Sequence, residues 1–415
     1  MFETTLPNVL GGGRARFADY LDRLAAVIGH ADRIAPLRAY CTGLATPEIR
    51  KSVESIAAHL APQAARAAHQ SLHHFVSASN WSDRAVLGVA RDHALPALAQ
   101  RRERLAWVMC DSGMVKKGTH TAGVFRKYCA RVGRRTNCQS AVMLFVCAEQ
   151  AALPIALRLY LPETWTSDWP RRRGAGIPDS IRFQTRADIA IQQIRQAIAD
   201  GVSPGVVSAG PLYGDDARFR RTLSGLGLPY IVGVKETTEL FSAAPPVLSS
   251  LRAGPLPSTA RPERPMSAKA LGAALSMRAF RPLHWRKMGE PMVSRFAALR
   301  VLPATRAGQQ QKAEPEWLLI EWPEGEAAPQ RYWLSTLPED TGIDELVELA
   351  MRAWEGEAGY RALKDEIGLG HYEGRGWRGF HHHAALCVAV YAFLLRERMA
   401  RIESPETPRR AGAVL

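Results

Sequence analysis

The sequence predicts a mixed α/β protein: a sheet flanked by helices, preceded by an all-helical amino-terminal domain. Three observations predict it. From Phe17 to Gln100, Ala, Leu and Ile recur at three- and four-residue spacing. At Leu105 the pattern changes to short apolar or alternating runs bounded by turn and charged residues, and from Thr185 onward helix-like and strand-like segments alternate. With 415 residues and 47% hydrophobic content, the chain can bury a sizeable core and exceeds one ordinary domain, so two or three domains are expected.

Segments such as Tyr20 to Ile28 and Pro47 to Leu60 carry the helical period, and Asp83 after Trp81 is placed to cap a further helix towards Leu98. Arg50-Lys51, His73-His74 and Trp81 suit either a DNA contact or a plain helical bundle within residues 1–103. The runs Leu105 to Cys110, Gln139 to Cys147 and Pro154 to Leu161 read as strands. Thr185 to Ala199 reads as a helix, Gly205 to Ala209 as a buried strand, Asp215 to Leu226 as a helix and Tyr230 to Val234 as a strand. Three strands followed by alternating helix and strand is the order of a ribonuclease-H-like mixed sheet, assigned to residues 104–240. Ala243 to Pro265, rich in Pro, Ser and Ala, reads as a linker or the edge of an insertion. Strand-like runs at Ala279 to Arg286, Val293 to Val301, Trp317 to Trp322 and Arg331 to Thr336 make residues 241–336 a β-rich insertion. Helical periodicity returns at Ile343 to Glu366 and Phe380 to Ile402, giving residues 337–402 to the core's last helices and 403–415 to a disordered tail.

The formal net charge of +14 requires a strongly positive face, which suits a polyanion better than a small neutral substrate; nucleic acid leads and an anionic membrane surface follows. No run approaches the apolar length that crosses a bilayer, and Met1 to Arg14 lacks the features of a secretory signal, so a cytoplasmic protein is expected. Cys41, Cys110, Cys129, Cys138, Cys147 and Cys387 are scattered with no C-x-x-C pair, which points to reduced core residues rather than zinc or disulfides.

Between Arg101 and Arg135 ten Lys or Arg residues stand against two acidic ones, Glu103 and Asp111. Asp111 follows an apolar strand and precedes Lys116-Lys117-Gly118, which suits either a metal-binding carboxylate beside phosphate-binding lysines or a turn Asp closing the strand. Glu366 lies near the end of a helix that Gly368 or Gly370 would stop, with Tyr360 and Lys364 one turn apart and Arg375 and Arg378 in the loop beyond. Acidic groups for metal, ringed by basic groups for phosphates, are what phosphodiester chemistry requires: two Mg²⁺ ions about 4 Å apart activate the attacking oxygen and stabilise the leaving one. The triplet His381-His382-His383 is a poor metal site, because neighbours on a helix point about 100° apart. Those histidines are expected to cap a helix or touch phosphate. Arg171, Arg172 and Arg173, in an expected loop after Trp165 and Trp169, suit phosphate binding beside base stacking, or a plain exposed basic loop.

Longer blocks carry a resemblance. They run from Gly43-Leu44, Glu48-Ile-Arg-Lys-Ser52 and Ser79-Asn-Trp81 through Asp111-Ser-Gly-Met-Val-Lys-Lys-Gly118, Asn137-Cys-Gln139 and Leu159-Tyr-Leu-Pro-Glu163. They continue at Gly174-Ala-Gly-Ile-Pro178, Phe183-Gln-Thr-Arg186, Trp317-Leu-Leu-Ile-Glu-Trp-Pro-Glu-Gly325, Tyr332-Trp-Leu-Ser-Thr336 and Leu363 to His383. Together they resemble the DDE transposases of bacterial insertion sequences, in the branch with a β insertion before the last carboxylate, the insertion sequence 701 family.

The resemblance implies a transposase that binds the terminal inverted repeats of its element, dimerises to pair them, and uses two Mg²⁺ (or Mn²⁺) ions to cut double-stranded DNA and join it to target DNA. It matches Asp111 to the first catalytic Asp and Glu366 to the third carboxylate. It gives Lys116, Lys117, Arg126, Lys127, Arg171, Arg172, Arg173, Lys364, Arg375 and Arg378 to DNA. Where relatives carry Ala-Asp, two small residues and Tyr-Gly, this chain has Val207-Ser-Ala-Gly-Pro-Leu-Tyr-Gly214, so Gly210 replaces the second Asp. Asp215 is the weak substitute, with Asp216 beside it. Cys110 replaces a further Asp of many relatives, and Val115 a Pro before Lys-Lys-Gly. The rival expectations are an inactivated copy that only binds DNA and a ribonuclease-H-like nuclease without strand transfer.

Overall fold

A computed structural model describes residues 6–101, 104–129, 132–243, 264–304 and 314–403. The expected tail at 403–415 lies outside the described residues except for Glu403, as do Glu103 and most of the expected linker, residues 244–263. No helix among the described residues is long and apolar enough to cross a membrane.

The amino-terminal helices are α1 (Leu6–Ile28), α2 (Ile34–Ala45), α3 (Val53–Leu60), α4 (Ala65–Ser77) and α5 (Asp83–Ala99). The cap of α5 is Ser82, not Asp83: its hydroxyl accepts from the Ala85 N–H at 3.2 Å, leaving Asp83 inside the first turn. Next come β1 (Ala106–Val115), β2 (Phe125–Cys129), β3 (Arg134–Ala148) and β4 (Ala151–Leu159). They lead through short helices α6 (Glu163–Thr166) and α7 (Trp169–Gly174) to α8 (Arg186–Ala199). Thr185 and Asp188 start α8 with a reciprocal capping box. The chain then forms β5 (Val206–Ala209), α9 (Pro211–Gly214), α10 (Ala217–Gly225) and β6 (Tyr230–Val234). The helix expected from Asp215 to Leu226 is α10, which starts two residues later because Asp216 is its cap, and the short α9 precedes it.

The insertion contributes β7 (Glu239–Ser242), β8 (Met266–Ser267), α11 (Ala268–Ala274), β9 (Arg281–Lys287), β10 (Glu290–Pro303), β11 (Glu316–Pro323) and β12 (Arg331–Ser335). Then follow α12 (Ile343–Arg361), a π turn over Ala362–Glu366, and α13 (Trp377–Glu403). Gly368, in the left-handed region at φ 98°, ends the α12 segment as its lack of a Cβ allows.

Among the described residues twelve strands form one sheet. Its path runs β4-β3-β1-β5-β6-β12-β11-β10-β7-β8, with β2 also on β3 and β9 also on β10. The core pairs β4, β3 and β1 antiparallel and β1, β5 and β6 parallel, which is the ribonuclease-H-like mixed sheet. The strands of the expected insertion extend that sheet, since β12 pairs antiparallel with β6 through Ser335↔Ile231 to Tyr332↔Val234.

Strand alternation sends Val108 and Cys110 to one face of β1 and Met109 and Asp111 to the other. On the first face α12 packs so closely that a Cβ at Gly356 would lie 2.7 Å from Val108 Cγ1 and 3.0 Å from Cys110 Sγ. On the second face lies α8, whose Gln193 donates to the Val142 carbonyl at 3.0 Å. α13 is buried for most of its length, and α1, α2, α4 and α5 pack around it, so the amino-terminal helices share one core with the end of the chain.

Gly356→Ala should cost about 1–3 kcal/mol of stability by overpacking, whereas Gly88→Ala in α5, where an added Cβ meets nothing within 4 Å, should gain up to about 1 kcal/mol. Urea denaturation of the two variants checks both signs, and a neutral Gly356→Ala would refute the close α12 contact.

Candidate active site

The site is built where β1 loses one neighbour. β1 stays paired with β3 from Ala106 to Val115, but its pairing with β5 stops at Met109↔Ala209. From Cys110 on, β1 has no strand partner among the described residues on its β5 side, at the carboxyl ends of the parallel strands, where ligands of open α/β sheets commonly bind. Asp111 lies on that edge. Its carboxylate accepts a hydrogen bond from the Ser140 hydroxyl and makes a 2.7 Å ion pair with Arg186 Nε. Arg186, the first residue of α8, is also held over the Tyr160 ring at 4.0 Å and the Phe125 ring at 5.7 Å. The guanidinium is thus fixed against the carboxylate expected to bind metal.

Gly210 follows β5 directly, beside Cys110. Its backbone is extended (φ −77°, ψ 178°) and an added Cβ would meet nothing within 4 Å, so neither the backbone nor the first side-chain atom bars a larger residue there. Neither downstream carboxylate takes its place. Asp215 accepts from the Lys235 N–H at 3.0 Å and the Thr238 hydroxyl at 2.8 Å, and pairs with Lys235 Nζ at 2.8 Å. Burial works to raise its pKa, but these Lys235 and Thr238 contacts hold it below the ordinary carboxylate value. Asp216 caps α10, accepting from the Arg218 N–H at 2.8 Å and the Phe219 N–H at 3.3 Å. Asp215 is engaged by the β6–β7 connection.

Tyr213, between them, is buried, and its hydroxyl has no hydrogen-bond partner among the described residues. Burial, followed by Asp111 and Cys110, pushes the phenol well above its ordinary pKa, with Arg186 opposing. Its electrostatic neighbours therefore include the Asp111 carboxylate.

Glu366 is placed with Tyr391, on α13. Burial raises the Tyr391 phenol, and Cys147, Glu366 and Glu355 add to that while Arg398 opposes. Cys147 pairs with Ala106 at the start of β1, five residues before Asp111. A further carboxylate of α12, Glu357, acts on Cys110, the neighbour of Asp111. Burial raises the Cys110 thiol, and the next causes are Glu357 and then Asp111, so both carboxylates act on the same sulfur. Desolvation also raises the Glu357 carboxyl, against Arg361 and Lys364. The sequence reading missed Glu357, Ser140, Arg186 and Tyr213 as site residues. The Gly356-Glu357 pair was the available signal, since a glycine in mid-helix marks a close approach. Among the described residues no three His, Cys, Asp or Glu side chains converge to hold a metal ion.

The basic residues divide into exposed and committed groups. Lys117, Arg126, Arg173, Arg375 and Arg378 are exposed, and Lys127 is half-buried with its ammonium beside Gly113. Lys116 is spent internally, donating to the Tyr372 carbonyl at 2.6 Å, with burial lowering its pKa to about 8. Lys364 leans on the Tyr360 ring and on Asp365 at 3.5 Å.

The arginine run is not in a loop but in α7. There Arg172 is fully buried over Trp169 and donates to the Pro178 and Ile181 carbonyls at 3.0 and 2.8 Å. Arg171 stacks on the buried Trp165 at 3.7 Å and donates to Thr119, which leaves Arg173 as the solvent-facing member. Capping does not describe the three histidines either. His382 stacks on Trp81 at 3.6 Å and bridges the Val76 and Trp81 carbonyls, while His383 joins Tyr40 and the Gly368 carbonyl. His381 lies within hydrogen-bond reach of the Leu159 N–H and the Trp377 carbonyl. They fasten α13 to its neighbours.

If Asp215 is structural, Asp215→Ala should cost about 1–3 kcal/mol at neutral pH through its lost hydrogen bonds. Because the folded pKa is depressed, that stabilisation is present above the unfolded carboxylate pKa and disappears as pH falls through the folded value. Urea midpoints of wild type and variant should therefore converge as pH falls below the ordinary carboxylate range. A constant gap across the acid range would contradict the assignment.

No curated protein matches the chain. The sequence profile described as DDE superfamily endonuclease matches residues 23–292, well over half of the chain, and ends inside β10, before Glu357 and Glu366. With a mixed sheet in ribonuclease-H-like order beneath that match, the chain belongs to the DDE superfamily endonucleases.

Proposed function

We propose that the protein is a transposase of a bacterial insertion sequence, of the insertion sequence 701 branch, which binds its element's ends as a scaffold while its cutting chemistry is crippled at Gly210. One observation carries this reading: the second carboxylate position is a glycine with open space around it, and both downstream aspartates are committed elsewhere.

DDE superfamily endonucleases generally use divalent metal ions. The residues here do not fit a pair of them. Asp111 is paired with Arg186, Gly210 supplies no ligand, and Glu357 acts on Cys110, which points to the opposite face of β1 from Asp111. Two-metal sites need several carboxylates to share the ions between them. The DNA-binding half of the function needs no such set. Lys127 brings positive charge beside Gly113 of β1, Lys117, Arg126, Arg375 and Arg378 are exposed, and the net charge of +14 supports long-range attraction to duplex DNA. The protein acts in the cytoplasm on nucleoid DNA, as a homodimer that pairs two ends.

The test is cleavage of the element's flanking ends in Mg²⁺ and in Mn²⁺ by wild type, Gly210→Asp and Asp111→Asn. Wild type should bind the ends and leave them intact. Losses in the outer shell of a metal site already cost about 10–100-fold, so restoring a direct ligand by Gly210→Asp should raise cleavage by more than about a hundredfold. Cleavage by the wild type that Asp111→Asn abolishes would overturn the crippled-site reading and leave a complete transposase.

A further inference from the structure

A second concentration of charge lies between α1, α5 and α13, near the carboxyl end of α13. Arg396 stands fifteen residues beyond His381, about 22 Å along the helix. There a cavity of 630 Å³ is lined by Arg16, Tyr20, Arg23, His93, Arg396 and Glu397, and also by Asp19 and Arg401. That volume is in the range of small-ligand pockets.

His93 is the fixed point. It is 8% exposed and sits between the Tyr20 ring, with centroids 4.4 Å apart, and the Phe393 ring at 5.8 Å. Its Nδ1 faces two guanidiniums at once, Arg396 Nη1 at 2.9 Å and Arg23 Nη2. Burial, then Arg396 and Arg23, lower its pKa to about 3, so at neutral pH the ring carries no charge. Its Nε2 is buried without a hydrogen-bond partner among the described residues.

The charges around it do not balance. Arg16 is matched by Glu397, through contacts of 2.9 and 2.5 Å. Arg23 and Arg396 have no carboxylate within salt-bridge distance among the described residues, and Asp19 reaches neither. A guanidinium cannot shed its proton and accepts no hydrogen bonds. Two of them therefore repel across one neutral nitrogen that can properly serve only one. An oxyanion with several lone pairs relieves both the repulsion and the shortage of acceptors, and the fork of each guanidinium matches phosphate geometry.

We propose that Arg23 and Arg396, positioned by His93, form a binding site for a phosphate group, separate from the β1 edge. The phosphate is either a free anion or a backbone phosphate of DNA. The site itself does not depend on the transposase reading.

The experiment is calorimetric titration of inorganic phosphate into the full-length protein at low ionic strength, for wild type, Arg23→Gln, Arg396→Gln and the control Arg195→Gln on α8. Arg23 and Arg396 are exposed, so neither substitution breaches the core. Wild type and control should bind phosphate alike, and each pocket variant should bind at least about tenfold more weakly, as for the loss of one charge-assisted contact. Equal affinity in all four proteins, or no binding by wild type in the millimolar range, would overturn the site.

A mixed-sequence DNA duplex then identifies the source. If the pocket variants lower the slope of log affinity against log salt by about 0.9, the phosphate belongs to the DNA backbone. If they lose inorganic phosphate binding at an unchanged slope, it is a free anion. A wild type that binds phosphate but no duplex would sink the DNA reading and leave this site standing.

Discussion

The unequal pairing of β1 governs the rest of the molecule. Ten residues of β1 are tied to β3, while four are tied to β5, and that difference leaves the edge at Asp111 unpaired on one side. The sharp departure of the chain at Gly210 into α9 keeps the edge open, and the close seat of α12 on Val108 and Cys110 sets how near its carboxylates come. Side-chain alternation then puts Asp111 on the α8 face, where the first residue of α8 can reach it. Geometry that a nuclease would use to gather metal ligands here gathers one carboxylate, one glycine and one arginine.

The pairing of Asp111 with Arg186 follows from that gap. A partly buried carboxylate without a counter-ion is costly, and the guanidinium, clamped over Tyr160, supplies the charge from within the chain. The arrangement lowers the electrostatic demand for an external cation. It also keeps the Asp111 end compact, with Ser140 and Tyr213 close around the carboxylate.

Much of the architecture was legible from residue patterns. Tyr230 to Val234 is a strand with the expected bounds, and the strand runs around Cys110, Cys147 and Leu157 all appear, with β1 and β3 longer than their apolar cores suggest. The extensions, at Ser112 to Val115 and Arg134 to Asn137, carry no continuous apolar run; the first pairs with Cys138 to Ala141 of β3 and the second with β2, so periodicity alone could not reveal them. β2 itself, Phe-Arg-Lys-Tyr-Cys, reads as a basic stretch until its hydrogen bonds to β3 are seen. The site was legible at Asp111 and Gly210, because each immediately follows an apolar strand run. It was not legible at Arg186, whose contact with Asp111 joins elements far apart in sequence, or at Glu357, which acts on Cys110 from α12. The buried role of Arg172 was hidden for a related reason: a basic triplet looks solvent-facing until one member is seen covering Trp169 and closing backbone carbonyls.

The way the insertion joins the core has a consequence for how this architecture can change over time. β12 occupies the outer edge of β6, so the inserted strands close an edge that would otherwise expose unsatisfied backbone groups and invite pairing with other chains. An insertion hung on a loop can be lost and leave its host intact. One that seals a sheet edge becomes a structural dependency, and trimming it back to β6 would create a self-adhesive surface rather than a simpler enzyme.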